Sequence, residues 1–287
     1  MNQTLDLLKE PMVHDALKAA LMVAVVCSYL GVFVVLKRIV FVGAALAEVA
    51  SLGAALALTP PVLWAFGALI AAAPALEPLD HYRPLVLAMT LMLISVAFFS
   101  QQRRSRRLPQ EAVIGTVVAA ATGLTLLVLS KVQSQDQHAL EVLQGSILGV
   151  EAQELTELAI ACLVIGLVQV LFYKEFVLVS FDPEVARTLG YRSSSWELLW
   201  YLSLGTMIAV SIHAAGTVLV FAYLVIPPVT ALLLSRRLGL VLTLSVLLAV
   251  VATCVGVVLS IAVDVPTSYA IVGCSVALFA LCWVGRA

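Results

Sequence analysis

The sequence predicts an all-α, polytopic membrane protein of about eight or nine transmembrane helices. Three observations carry that prediction. The chain is 62% hydrophobic and only 11% charged, whereas soluble domains have about 45–50% apolar and about 25% charged residues. Several runs exceed the ~18 apolar residues that mark a membrane span. The Lys and Arg residues also sort to one side when those runs are threaded back and forth across a bilayer. The formal net charge of -1 says little by itself, because in such a protein the placement of basic residues outweighs their sum.

Residues 1–14 set Leu5, Leu8 and Met12 among polar neighbours, which predicts a short helix on the membrane surface. They lack the basic region, short apolar core and small-residue site of a cleaved signal. The first span runs from about Asp15 to Leu36 and stops at Lys37-Arg38. The second, Ile39 to Leu58, is nearly all apolar or small and carries one acid, Glu48, near its middle. A carboxylate at that depth is costly to insert and marks a functional position by default. Gly43, Ala47, Ala50, Ser51 and Gly53 give the same helix a small-residue surface that another helix or a permeating solute could approach.

Residues 61–76 are apolar but too short for an ordinary span. A polar turn over 77–84 leads into Leu85 to Ser100, which ends at the Arg103–Arg107 cluster. Ala112 to Ser130 is the next span, with Glu111 at its positive dipole end. A polar connection from Lys131 to Glu154 follows, then a span from Leu155 to Phe172. Gln169 sits inside that span, where an amide bonds a neighbouring helix. Residues 173–195 form a polar insert. Trp196 to Ser211 and Thr217 to Leu234 come next, separated by His213 and Gly216. Pro227 and Pro228 each remove a backbone donor, so a kink or break is expected there. Leu238 to Val263 and Thr267 to Val284 complete one transmembrane domain over 1–287.

If 61–76 does not cross fully, twelve of the sixteen Lys and Arg residues, from Lys37 to Arg286, share one side. The positive-inside rule makes that side cytoplasmic. The amino terminus then lies outside and the carboxyl terminus in the cytoplasm.

The cytoplasmic segment Ser180 to Ser195 has a local design. Asp182 before Pro183 is an N-cap with proline at the first helical position. Gly190 stands where a C-terminal cap belongs. The spacing predicts a short helix within about 181–191, with Glu184 and Arg187 available to a partner; an ordinary cytoplasmic loop is the plainer reading.

The stretch FDPEVARTLGYRSSSWELL resembles the coupling helix of permease subunits of zinc- and manganese-type ABC importers. Five other segments match that family in the same order. These are GVFVVLKRIVFVGAALAEVASLG, EAVIGTVVAAATGLTLLVLS, LEVLQGSILGV, AAGTVLVFAYLVIPPVTALLLSRR and VDVPTSYAIV. The resemblance implies a homodimeric permease in the bacterial inner membrane, bound to two cytoplasmic ABC ATPase subunits. It also implies an extracytoplasmic metal-binding protein that delivers a zinc, manganese or iron ion. ATP is used by the partner; this chain has no GxxxxGK[ST] phosphate loop. No bound cofactor and no nucleic-acid partner are expected. Asp182, Glu184, Arg187 and Gly190 are the ATPase-coupling residues under this reading.

One departure matters. Family members commonly show Gly-Asp-x-x-x-His in the second helix, and the aligned positions here are Ala44 and Glu48. Four-residue spacing puts both on one face. Alanine offers no ligand, so Glu48 stands alone as an oxygen donor. His213, at the outer end of a span, is the other metal candidate, with a hydrogen-bonded helix-end histidine as its plainer reading. His81 and His138 read as solvated loop residues on the outer side. Two alternatives stay open. The same fold could carry another small solute or run outward. An intramembrane enzyme is the other, although the sequence has no HExxH and no GxSxG. The five cysteines all lie in apolar runs without a CxxC pair, which makes them packing residues.

Overall fold

The computed structural model describes residues 11–57, 59, 83–102, 110–130, 152–263 and 265–286. Within them the chain is helical throughout, in eleven helices. They are α1 (Pro11–Leu36), α2 (Val40–Ala57), α3 (Arg83–Gln102), α4 (Gln110–Leu129), α5 (Ala152–Leu171), α6 (Tyr173–Phe181), α7 (Pro183–Thr188), α8 (Ser193–Ala215), α9 (Thr217–Leu234), α10 (Leu238–Val263) and α11 (Thr267–Val284). Eight of these helices are long and apolar enough to cross a membrane, and α3 adds a shorter apolar stretch, Arg83–Phe99. Backbone groups in a bilayer must bond within their own segment, which is why such runs become helices.

The centre of the bundle is α1, α2, α8 and α9, whose inward residues are small or fully buried, among them Ala20, Cys27, Leu46, Trp200 and Tyr223. The strands of contact run α1 to α9 and α10, α2 to α3 and α4, and α8 to α3 and α5, with α9, α10 and α11 forming a second group. By contrast α4 and α5 present most of their apolar side chains outward, for example Leu126, Leu163 and Val170.

Close pairs fix helix directions. Cys27 Sγ meets Ser211 Oγ at 4.0 Å, and Lys37 Nζ lies 4.1 Å from the Trp200 ring centroid, so α1 and α8 are antiparallel. Cys162 Sγ on Met207 Sδ and Phe172 on Trp196 make α5 antiparallel to α8 as well. Ser268 Oγ donates to Ala215 O at 3.4 Å, which puts the start of α11 beside the end of α8. The basic residues sort accordingly. Lys37, Arg38, Lys174, Arg187, Arg192, Arg236, Arg237 and Arg286 gather at one end of the bundle, while Lys18 and Arg83 lie toward the other.

Several expectations from the sequence change. Pro11 to His14 belong to α1, so no separate surface helix begins there; residues 1–10 lie outside the described residues. Residues 61–76, His81, His138 and the segment LEVLQGSILGV also lie outside them. The polar insert 173–195 is mostly helix: α6 follows α5 after the single residue Phe172, because Phe176 and Val179 are buried. The helix expected from Trp196 to Ser211 is longer, Ser193–Ala215, and contains His213. Gly216 then breaks the chain with φ 77°, a left-handed value that favours glycine.

Pro227 and Pro228 do not interrupt α9. Pro228 leaves Leu224 O without its helical donor. A β-carbon at Gly31 of α1 would collide with that oxygen. The α1 backbone thus closes on the freed carbonyl, and neighbouring helices are what make proline tolerable at such depth. Gln169 is buried, but neither amide atom finds a hydrogen-bond partner among the described residues.

Candidate functional site

The small residues of α2 are used for helix packing. A β-carbon at Gly53 would fall 2.5 Å from Ala88 Cα of α3, and one at Gly43 would meet Leu224 Cδ1 of α9 at 3.2 Å. Small residues at such crossings let backbones approach, which is how helices associate without a hydrophobic driving force. The consequence is a tightly held α2 whose remaining face carries Ala44 and Glu48, both partly buried.

Glu48 has a partner that its sequence neighbourhood does not disclose. Thr122 Oγ1 of α4 lies 3.0 Å from Glu48 Oε2 and donates to it, and the same hydroxyl lies 2.9 Å from Val118 O. Threonine in a helix commonly bonds the carbonyl one turn back. Here that bond aims the hydroxyl so that it can be shared with the acid. A carboxylate has about four lone-pair sites, so one threonine contact leaves capacity for a cation. Ala44, one turn earlier, adds no donor. Ser51, one turn later and about 60° round the helix, is buried, and its Oγ has no hydrogen-bond partner among the described residues. The donors near mid-helix are therefore oxygens.

Among the described residues no three His, Cys, Asp or Glu side chains come together to hold a metal ion. The structure does not join His213 to Glu48 in any described contact; His213 lies in the last turn of α8, and its side chain is outside the description.

The coupling candidates form a compact element at the basic end. Asp182 Oδ1 accepts from Val185 N at 2.9 Å and caps α7, which Pro183 opens. At the other end Tyr191 N donates to Ala186 O at 2.9 Å and Gly190 N to Arg187 O at 3.0 Å. This pair of bonds is the Schellman arrangement, and it needs the left-handed Gly190, φ 85°. Asp182 and Gly190 shape the helix, while Glu184 is exposed. Arg187 turns back: its Nε donates to Ser193 Oγ at 3.0 Å, tying α7 to the first residue of α8. Around them Phe181, Val185 and Leu189 are exposed apolar side chains. A capped helix with an apolar crown on a basic face suits protein docking.

Among the described residues the bundle has eight helices of membrane-crossing length, one acid at mid-span, Glu48, and a short capped helix at its basic end, which is the architecture of a polytopic membrane protein. The chain belongs to the ABC 3 transport family, whose pattern matches residues 9–285. Curated relatives include a manganese transport system membrane protein, MntC, of Halalkalibacterium halodurans, 26% identical, covering 96% of this chain and 88% of that protein. Another is a chelated iron transport system membrane protein, YfeD, of Yersinia pestis, 29% identical, covering 95% and 86%. Among solved structures, PsaBC from Streptococcus pneumoniae in complex with Fab superposes with a TM-score of 0.80 at 20% identity, covering 98% of this chain and 95% of that one. That likeness establishes the fold.

Two contacts were not legible from the sequence. Thr122 pairs with Glu48 across 74 positions, and Lys37 pairs with Trp200. The one signal for Thr122 was its place in a run of small residues, AAATG over 119–123, on a largely aliphatic span.

Proposed function

We propose that the chain is the membrane-spanning permease of an ATP-driven importer for a divalent transition-metal ion. It works as a homodimer with two cytoplasmic ATPase subunits and an extracytoplasmic metal-binding protein. The chain itself performs no chemistry. The observation that carries this reading is the family match over nearly the whole chain, joined to relatives named for manganese and iron transport. The α7 crown is the ATPase dock, with Phe181, Val185 and Leu189 as its apolar contacts and Glu184 at its edge. The basic end is cytoplasmic by the positive-inside rule, which places the amino terminus outside and the carboxyl terminus inside.

Glu48 is a transient contact for the passing ion, held by Thr122. Carboxylate and hydroxyl oxygens suit manganese, whereas zinc favours nitrogen and sulfur donors. Manganese is therefore the favoured cargo and zinc the disfavoured one. The second reading, the same fold carrying a different solute, draws on Ala44, which leaves no two-ligand pair on α2.

The test is uptake by the reconstituted complex of permease, ATPase and receptor. Glu48→Gln should cut manganese uptake on the order of 10-fold or more, since it removes a charge-assisted contact, with ATPase assembly intact. Thr122→Val should cut it less. If manganese, iron and zinc all fail to enter while the complex hydrolyses ATP, metal import is wrong and the second reading stands.

A further inference from the structure

The head of α2 rests on a buried aromatic pair. Lys37 Nζ lies 4.1 Å from the Trp200 ring centroid and 6.0 Å from that of Tyr201. The two rings meet edge to face at 5.2 Å, and both are buried. An ammonium over an indole face is attracted by the ring quadrupole, more so where water is excluded. Lys37 belongs to the turn that joins α1 to α2. In the same turn Arg38 has φ 58°, a left-handed value uncommon for any residue but glycine. Such a turn keeps its shape because its surroundings hold it, and the Lys37–Trp200 contact is one of the things that hold it.

The other end of this arrangement is the docking element. Arg187 joins α7 to Ser193 at the start of α8, and Ser193 is buried. One turn on, Trp196 packs against Phe172 at 5.1 Å and edge-on against Phe176 at 6.0 Å, which binds α8 to the α5–α6 joint. Trp200 follows Trp196 by four residues, so both lie on one face of α8. The docking helix, the first two turns of α8 and the α5–α6 joint therefore form one packed unit, and Lys37 connects that unit to α2.

We propose that Lys37 and Trp200 are positioning residues that pass movement of the α7 docking segment to α2, and so to Glu48. The inference rests on the reading of the chain as an ATP-driven permease. A lysine that merely anchors at the bilayer surface by snorkelling would be indifferent to which ring lies beneath it.

The experiment uses the permease assembled with its ATPase subunits. A reporter thiol is placed beside Glu48 by Ala44→Cys on an otherwise cysteine-free chain. Its rate of labelling by a soluble maleimide is read with and without ATP plus vanadate. Without further change, nucleotide should alter that rate. Lys37→Met should shrink the alteration by about 2- to 30-fold, the range a cation–π contact confers on a two-state balance. Lys37→Arg should restore it. Trp200→Phe, which keeps an aromatic ring, should give an intermediate loss and reads the same contact should Lys37→Met fail to assemble. Combining Lys37→Met with Trp200→Phe should do no more than Lys37→Met alone, because one contact is lost once.

The inference is overturned if Lys37→Met keeps the nucleotide response, if Lys37→Arg is as damaging as Lys37→Met, or if nucleotide leaves the starting chain unchanged. No metal enters this measurement. Failure of metal uptake therefore refutes the cargo reading alone, and failure of the labelling response refutes the coupling role of Lys37 and Trp200.

Discussion

Gly53→Ala should loosen the contact between α2 and α3, and its size can be worked from the distances. The added carbon would lie 2.5 Å from Ala88 Cα, 2.7 Å from Ala88 N and 2.8 Å from Leu87 O. All three are backbone atoms, so no side-chain rotation relieves the overlap. Ordinary contact between carbons is about 3.5–4.0 Å, which requires the helices to separate locally by about 1 Å. Overpacking of this kind costs about 1–3 kcal/mol. Alanine returns about 0.8–1.0 kcal/mol through its better helix propensity. The net loss is anything up to about 2 kcal/mol, taken as the difference of those two ranges. Gly115 of α4 supplies the control, because a carbon there meets nothing within 4 Å. Gly115→Ala should gain about 0.5–1 kcal/mol. The two substitutions are chemically identical, and opposite signs are expected. Purified permease in detergent is heated while a thiol-reactive dye reports exposure of the buried Cys27 and Cys162. Gly53→Ala should melt lower than the unaltered chain and Gly115→Ala no lower. Should Gly53→Ala melt at or above the unaltered chain, the close α2–α3 crossing is wrong, and with it the account of the small residues of α2.

Three further outcomes test the docking end and the site. Asp182→Ala removes the cap of α7 at a cost of about 0.5–2 kcal/mol, and should speed amide exchange at Val185 while leaving the melting of the bundle unchanged. Leu189→Glu puts a charge on a side chain that is 63% exposed; it should abolish copurification of the ATPase subunit without lowering thermal stability, and retention of the ATPase would remove Leu189 from the dock. Thr122→Val deletes the hydroxyl that Glu48 accepts from; manganese uptake should fall about 3- to 10-fold, within the ~0.5–1.5 kcal/mol net value of one ordinary hydrogen bond.

The features that the sequence discloses are those set by neighbours close in the chain. The α7 caps are of this kind, since Asp182, Pro183 and Gly190 act within a few residues and the hydrogen bonds form as the residue types require. The apolar spans and the basic end are equally local, because a bilayer imposes the same length on every crossing. What depends on distant partners was not legible. Glu48 reads as a lone acid until α4 brings Thr122 to it. The α2 glycines read equally as a path wall or a packing surface, and only Ala88 and Leu224 decide for packing. The polar look of 173–195 came from Tyr173, Lys174 and Glu175, which lie at the basic end. It concealed the buried Phe176 and Val179 that extend the helix. Pro227-Pro228 predicts a break from local rules, but Gly31 on another helix closes against the freed carbonyl and the helix continues.

The two ways in which α2 is held have a mechanical consequence. Its far half is wedged by backbone contact at Gly53, which no side chain can relax. Its head is held by the Lys37 ammonium on Trp200, a contact between a flexible side chain and a buried ring. If α2 is displaced through its head, it must pivot near Gly53. At about 1.5 Å per residue, Val40 lies about 20 Å from that pivot and Glu48 about 7.5 Å. A displacement of about 3 Å at the head then moves Glu48 by about 1.1 Å, by the ratio of those lengths. The Thr122–Glu48 bond is 3.0 Å long, and hydrogen bonds are lost beyond about 3.5 Å. A displacement of about 3 Å at the head of α2 is therefore enough to take Glu48 out of reach of Thr122. The acid would then hold an ion in one position of α2 and lose its supporting hydroxyl in the other, which is what a contact needs if it is to release its cargo onward.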